Sequence, residues 1–200
     1  LAANQQGIRL VEQLRMEVTP PLFAGFLAEM LAVAARHMTT VLTAFGDGQF
    51  HFEDHLENGA AIKVGIEIKG GQARVDFNGT ASVTDDHFNA NTAIVRAAVL
   101  YSFRSLIKEN IPLNDGVLAP LTIHIPRGSL LDPAADKDLT AFDQLPAVAA
   151  GNVETSQRIV DVILGALGVA AASQGTMNNL LFGRDANADG ADGFGFYETL

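Results

Sequence analysis

The spacing of apolar residues changes from a helical to a strand period near residue 48, and this change constrains the fold more than any other feature. Before it, apolar residues recur every three or four positions, whereas Ile62, Val64, Ile66 and Ile68 alternate with polar or small residues. The sequence therefore predicts one region, residues 1–200, with a helical N-terminal part at 1–48 and an α+β part at 49–200.

Two helices are expected in the N-terminal part. Residues 1–18 show an apolar stripe with polar residues between its members, as an amphipathic helix does. Thr19 is a suitable N-cap, and Pro20 and Pro21 suit the first helical turn, which needs no backbone N–H donor. We expect the second helix to run to about Ala44, because Gly46 and Gly48 follow it closely.

The strands that follow predict an antiparallel meander. The alternating run ends at Gly70 and Gly71, a pair that favours a two-residue hairpin turn. Residues 73–77 then alternate again and form the returning strand, and residues 51–56 are expected to add a further strand before Asn58 and Gly59.

The remaining residues alternate between helix and strand patterns. Helices are expected at 89–109 and from 151 to 168, strands at 121–125, 177–182 and 194–199, and a long loop at 127–146. The predicted class is α+β, with a mixed, largely antiparallel sheet, the N-terminal helical pair and two further core helices.

Composition excludes several classes of function. Thirteen basic against 23 acidic residues give a net charge of −10, and without Lys/Arg clusters no nucleic-acid partner is expected. The absence of cysteine excludes disulfides and thiolate metal sites and fits a cytoplasmic protein. Apolar runs such as 159–172 are interrupted and fall short of the roughly 20 residues that span a membrane, so no membrane partner is expected.

One short motif resembles a calcium loop. Asp185, Asn187 and Asp189 alternate ahead of Gly190, which matches the first positions of such a loop. The twelfth position, where a bidentate Glu is needed, holds Phe196 instead, and the flanks read as strands. A solvated hairpin loop is therefore favoured over a calcium site.

The histidines do not form a convincing site by spacing. His51, Asp54 and His55 are residue types that bind divalent metals, but a strand places the two histidines on one face and Asp54 on the other. Surface histidines are favoured over a metal site. His87 and His124 are isolated in the sequence, so no catalytic triad is predicted.

Asparagines are frequent beside the predicted turns and helix starts. Their amides both donate and accept hydrogen bonds, so they suit an amide or ureide ligand. Capping and turn chemistry is the alternative, and composition alone favours it. The residues concerned are Asn89, Asn91, Asn114, Asn152, Asn178 and Asn179.

A long run at 151–168, followed by Tyr197, Glu198 and Thr199, resembles the hydantoinase B/5-oxoprolinase family. Other stretches resemble the family in the same order, and together they extend over essentially all 200 residues. These stretches are 1–7, 53–59, 75–80, 111–116 and 126–133.

The resemblance implies an ATP-dependent hydrolase that opens 5-oxoproline, hydantoin or N-methylhydantoin rings. It implies that ATP and Mg bind a partner, the hydantoinase A-type subunit or domain, which phosphorylates the carbonyl oxygen of the small cyclic amide, while the B part completes hydrolysis. Several members of the family hold a divalent metal, but their metal-ligand motifs lie upstream of the stretch that begins at Leu1. No metal ligand is therefore assigned, and the chain reads as the central part of a B-type subunit, cut at both ends.

Candidate site residues follow from this resemblance and from the helix start near residue 152, where backbone N–H groups favour anionic oxygens. Glu198 and Asp54 are the candidates for acid–base catalysis. The candidates for the substrate pocket are Asn152, Thr155, Ser156, Gln157, Asn178 and Asn179.

Two alternatives stay open from the sequence. The chain could serve a related acetone- or acetophenone-type carboxylase, or it could be a structural and interaction fragment without activity of its own. With 48% hydrophobic residues, we also expect some apolar surface that a partner or a further part of the protein would cover.

Overall fold

A computed structural model describes residues 1–135, 137–138, 140, 145–173, 175, 179–184 and 193–199. Its class is α+β, as predicted. The helices are α1 (Ala2–Glu17), α2 (Pro20–Phe45), α3 (Thr92–Ser105) and α4 (Glu154–Leu167), and short 3-10 turns lie at Asp115–Leu118 and Ala149–Asn152. The strands are β1 (Gly48–His55), β2 (Ala61–Lys69), β3 (Gln72–Asp76), β4 (Leu121–His124), β5 (Asn179–Arg184) and β6 (Phe194–Thr199).

The main sheet has the order β1-β2-β3-β4. β1 to β3 form the expected antiparallel meander, whose β2–β3 turn uses Gly70 and Gly71 at φ values of 56° and 74°. β4 pairs parallel to β3, and the connection between them carries α3, because parallel neighbours need a long crossover. The sheet is therefore mixed and largely antiparallel, as predicted.

One face of this sheet carries the core. The even-numbered residues of β2 from Ile62 to Ile68 are buried, and so is Val75 of β3. Ala34, Met38 and Leu42 of α2 recur every four residues and pack into the same cluster, together with the inner faces of α3 and α4. A Leu, Ile, Val or Met side chain of this cluster contributes about 1.5–3 kcal/mol when it leaves water completely, and the smaller Ala34 contributes less.

The N-terminal part of the helical pair, which is α1 and the first half of α2, is mostly exposed. α1 has no buried residue, although its sequence is amphipathic. α2 is also long and apolar enough to cross a membrane by length and composition, although the sequence pattern predicted no such run. Core helices and signal sequences satisfy the same criterion, and the C-terminal half of α2 supplies core residues here.

β5 and β6 form a separate two-stranded sheet with aromatic side chains on one face. Phe182 is paired with Phe196, with their ring centroids 4.8 Å apart, and Phe194 meets Phe182 edge to face at 6.2 Å. Arg184 lies over the ring of Phe194 at 5.9 Å. All three phenylalanines are exposed.

Candidate functional site

The segment that leads into α4 is fixed by a buried amide. Asn89 is fully buried, and its Nδ2 donates to the backbone oxygens of Thr84, Asp86 and Ala147 at 2.9–3.1 Å. Its Oδ1 accepts from the backbone N–H of Thr84 at 2.9 Å. Asn89 therefore joins two segments distant in sequence, and its role is structural, as the turn-chemistry alternative proposed.

Gly151 and Thr155 also hold these two segments together. A Cβ at Gly151 would lie 2.6 Å from the backbone oxygen of Asn89, so only glycine fits there without a backbone shift. Thr155 is buried, and its Oγ1 donates to the backbone oxygen of Phe88 at 2.6 Å. Its hydroxyl thus holds α4 against the preceding segment and is not part of the cleft lining described below.

Asn152 does not cap α4, although capping and turn chemistry is the favoured alternative for the asparagines beside the predicted helix starts. α4 begins at Glu154, Val153 occupies the cap position, and no side chain makes a capping hydrogen bond there. Asn152 ends a short 3-10 turn instead, because the backbone bends once more before the helix begins. Its side chain is exposed and makes no hydrogen bond with any residue that the structure describes.

Other asparagines do cap. Asn91 accepts from the backbone N–H of Ile94 at 3.0 Å at the start of α3, and Asn114 accepts from Gly116 at 2.9 Å. Capping is therefore confirmed for these two residues.

A cleft of about 410 Å³ lies between α3 and α4 and brings together three of the predicted pocket residues, Asn152, Ser156 and Gln157. This volume falls in the usual range for small-molecule sites. The full lining is Ile94, Ala97, Ala98, Tyr101, Asn152, Ser156, Gln157, Val160, Asp161 and Ser173.

The lining combines an apolar surface with side-chain amides that have no hydrogen-bond partner among the described residues. Within the described residues the side chains of Asn152 and Gln157 have no hydrogen-bond partner, so donors and acceptors of both are available to a ligand. The Ser156 hydroxyl donates to the backbone oxygen of Val153 at 3.0 Å and keeps its acceptor capacity. Tyr101, which sequence reasoning missed as a site residue, adds an exposed phenol at the edge.

Asp54 lies away from this lining and is committed to an ion pair. It points from β1 towards α4, on the face opposite to that of His51 and His55, and its Oδ2 lies 2.6 Å from Nη1 of Arg158. This contact was invisible in the sequence, because the two residues are distant along the chain. A paired carboxylate is poorly placed to exchange protons with a ligand in the cleft.

The other predicted positions lie at the end of the chain. Asn179 is opposite Thr199 and Glu198 is opposite Leu180 in the β5–β6 pair. Asn178 lies outside the described residues, as do the calcium-like positions Asp185, Asn187 and Asp189.

A second concavity, about 530 Å³, lies on the polar outer face of the main sheet, above Gly65. Its principal charged groups already pair with one another. Glu53 lies 2.8 Å from Lys63, and Asp76 lies 2.9 Å from Arg74 and 2.8 Å from Nδ1 of His124. This face is therefore less prepared for a neutral amide ligand than the α3–α4 cleft.

His124, isolated in the sequence, reaches Asp76 because the parallel register places the two residues side by side. Partial burial raises the pKa of Asp76, but hydrogen bonds from Arg74, His124 and the Asn78 backbone outweigh it and lower the pKa to about 2. The carboxylate consequently stays ionised at neutral pH.

The residues that the structure describes do not fit the divalent metal that the family resemblance implies for several members. Within the described ranges, no group of three or more His, Asp or Glu side chains could hold a metal ion. His51 and His55 share the outer face of β1, but Asp54 faces the core side, as the strand period predicted.

The chain is similar to known proteins over its whole length. The family model described as hydantoinase B/oxoprolinase matches residues 1–200. The 5-oxoprolinase of Saccharomyces cerevisiae is 38% identical over 211 residues, which are 100% of this chain and 16% of the yeast protein.

Two solved structures have a similar fold. The ATP-dependent caprolactamase from Pseudomonas jessenii superposes with a TM-score of 0.69 at 18% identity, over 88% of this chain and 30% of that chain. A nucleotide-free acetone carboxylase gives a TM-score of 0.64 at 14% identity, over 94% of this chain and 27% of that chain. At such identities the likeness shows the fold alone.

Proposed function

The chain belongs to the hydantoinase B/oxoprolinase family, and we propose that it is the part of an ATP-dependent cyclic-amide hydrolase that binds the ring in the α3–α4 cleft. The resemblance read from residues 151–168 is thereby confirmed as family membership. The ring opened by the whole enzyme, 5-oxoproline or a hydantoin, belongs to the proposal, because the chain spans 16% of its yeast relative.

The pair of uncommitted amides at Asn152 and Gln157 carries this proposal. A cyclic amide presents one N–H donor and one carbonyl acceptor, and each side-chain amide can satisfy both. Ile94, Ala97 and Val160 supply the apolar surface that the ring methylenes need. Because unpaired polar groups are costly to desolvate, such a cleft favours amide rings over purely apolar ones.

The chain is proposed to bind and orient the ring while a partner supplies ATP chemistry. Amide resonance makes the carbonyl a poor electrophile, and ATP hydrolysis provides the free energy for its activation. The sequence holds no nucleotide-phosphate motif, so ATP and Mg are assigned to an A-type subunit or domain. Of the two candidate acid–base carboxylates, Asp54 is engaged by Arg158, which favours Glu198.

A cytoplasmic location belongs to the same proposal. ATP is available in that compartment, and a chain without cysteine needs no oxidising environment to fold.

Replacement of the two amides tests the site. In the complete enzyme with its A-type partner, we expect Asn152→Ala and Gln157→Ala each to raise KM for the cyclic amide by about tenfold, because each loses one hydrogen bond to the ring. The KM for ATP should stay unchanged. Gln72→Ala, which removes an exposed amide outside the cleft, is the matched control.

Unchanged KM values for the ring in both variants would refute the site. The same assay separates the alternatives, since a carboxylase would consume bicarbonate and release a carboxylated product instead of the ring-opened one. An inactive structural fragment would leave ring opening indifferent to either substitution.

A further inference from the structure

Asp161 is a buried carboxylate at the cleft. It lies on α4, is 5% exposed, and belongs to the cleft lining together with Ser173. A carboxylate removed from water costs several kcal/mol unless hydrogen bonds and an opposite charge compensate it. Its surroundings should therefore hold such partners in a fixed geometry.

Ser173 provides the hydrogen bonds. Its backbone N–H donates to Oδ1 of Asp161 at 2.9 Å, and its hydroxyl donates to Oδ2 at 2.9 Å, so both carboxylate oxygens are used. The same hydroxyl accepts from the backbone N–H of Gly175 at 3.1 Å. One side chain of α4 thus organises the segment that follows this helix.

Arg158 provides the opposite charge. Its Nη1 lies 3.7 Å from Oδ2 of Asp161 and 2.6 Å from Oδ2 of Asp54, and its side chain is 13% exposed. One guanidinium is therefore shared by a carboxylate of α4 and a carboxylate of β1. Gly175 passes directly against Nη2, at a φ of 76°, where any side chain would collide with the guanidinium.

The contacts of Asp161 with Ser173 and Arg158 are called the clamp below, and the path of the chain shows why they matter. Gly168 ends α4 in the left-handed conformation, with a φ of 66°, and turns the chain back along the helix. Residues 169–173 are exposed, so little apolar burial holds them in place. The contact with Asp161 is what fixes Ser173 in the wall of the cleft.

We propose that Asp161 is a positioning residue of the ligand cleft, which holds Ser173 in the wall of the cleft while Arg158 supplies an opposite charge. The proposal rests on the proposed function and deepens it, because it names the device that shapes the site. Asp161 acts through Ser173 and need not touch the ring.

Enzyme kinetics of the complete enzyme form the first part of the test. Asp161→Ala is expected to raise KM for the cyclic amide about tenfold while kcat changes by less than about twofold, since it removes ground-state shape and no reacting group. Ser173→Ala, which keeps the backbone N–H bond, should raise KM by about threefold, and Ser173→Thr should restore it.

Asp138→Ala is the matched control. Asp138 accepts from the backbone N–H and the hydroxyl of Thr140 at 2.9 and 2.8 Å, the same two kinds of donor but on a single oxygen, and it does not line the cleft. It should leave both KM and kcat unchanged.

Hydrogen exchange of the unliganded protein forms the second part. Asp161→Ala should make the Ser173 amide exchange about tenfold faster, because its charge-assisted acceptor is gone. This readout needs no ligand, so it tests the clamp independently of the proposed function. Failure of the proposed function would instead appear as an unchanged KM in Asn152→Ala. If Asp161→Ala does not fold, the Ser173→Ala and Ser173→Thr pair decides.

Two results would overturn the inference. Unchanged exchange at Ser173 would show that the contact does not order the segment. Faster exchange with unchanged KM, in an enzyme where Asn152→Ala does raise KM, would show that the segment is held by Asp161 without serving the cleft.

Discussion

At the scale of single residues, polar groups in this chain divide between those that build the fold and those left for a ligand. The side chains of Asn89 and Thr155 form hydrogen bonds with the backbone, and Asp54 is paired with Arg158. Asn152 and Gln157 have no such partner among the described residues and line the cleft. Residue type alone could not separate the two groups, because the same amide performs both tasks.

The pKa of Asp76 predicts a pH dependence of stability. The folded-state pKa of about 2 lies below the ordinary value of 3.8, so Asp76 stabilises the fold above pH 4 and loses this contribution as the pH falls from 3.8 towards 2. We expect Asp76→Asn to show a shallower fall of the urea unfolding midpoint over this interval than the parent chain.

Glu12→Gln, which removes an exposed charge from α1, controls for the change in net charge. Equal slopes for Asp76→Asn and the parent chain would contradict the ion-paired arrangement of Asp76, Arg74 and His124.

At the scale of elements, the two N-terminal helices differ in what they contribute although both look amphipathic. No residue of α1 is buried, whereas the C-terminal half of α2 enters the core. Helices are stabilised mostly by tertiary packing, so these two should respond differently to the same truncation.

Leu42→Ala and Leu14→Ala form a matched pair for this difference. Leu42 is 1% exposed, so its truncation should lower the free energy of unfolding by about 2–5 kcal/mol through lost burial and a cavity. Leu14 is half exposed, and its truncation should change that free energy by less than about 0.5 kcal/mol. Urea denaturation followed by circular dichroism measures both; equal effects would mean that α1 is packed as α2 is.

The elements were largely predictable because each has a clear period. The β2 alternation and the Gly70–Gly71 turn specified a hairpin, and the caps and prolines located α2. What could not be predicted depends on contacts between distant segments. The parallel register that joins His124 to Asp76 and the burial of Thr155 depend on partners that are distant in the sequence. The exposure of α1, in contrast, reflects how little of it packs against other described residues, which its amphipathic pattern does not indicate.

At the scale of the whole molecule, the described residues leave apolar surface exposed in at least two places. Ile8, Val11 and Leu14 lie on one side of α1, and the phenylalanines of β5 and β6 form the other patch. Monomeric proteins rarely leave large contiguous apolar patches in water. Composition led us to expect some uncovered apolar surface, and the exposed residues of α1, β5 and β6 form such a surface.

This surface predicts self-association of the isolated chain. Replacement of Ile8, Val11 and Leu14 by Gln should lower the concentration-dependent rise in mass seen by sedimentation velocity, because apolar contact between copies is lost. Stability should be nearly unchanged, since none of the three is buried. Replacement of Gln6, Arg9 and Gln13 on the opposite side by Ser is the control, and a parent chain that stays monomeric at every concentration would refute the prediction.

The parallel pairing of β3 with β4 has a consequence for how the chain folds. The meander of β1 to β3 needs only short loops, but β4 reaches β3 only after residues 77–120 have been brought together. Closing so long a loop costs chain entropy before any β3–β4 hydrogen bond can form, so β4 should dock late. During synthesis on the ribosome, β3 therefore stays an open edge, available to wrong strands, until residue 124 has emerged.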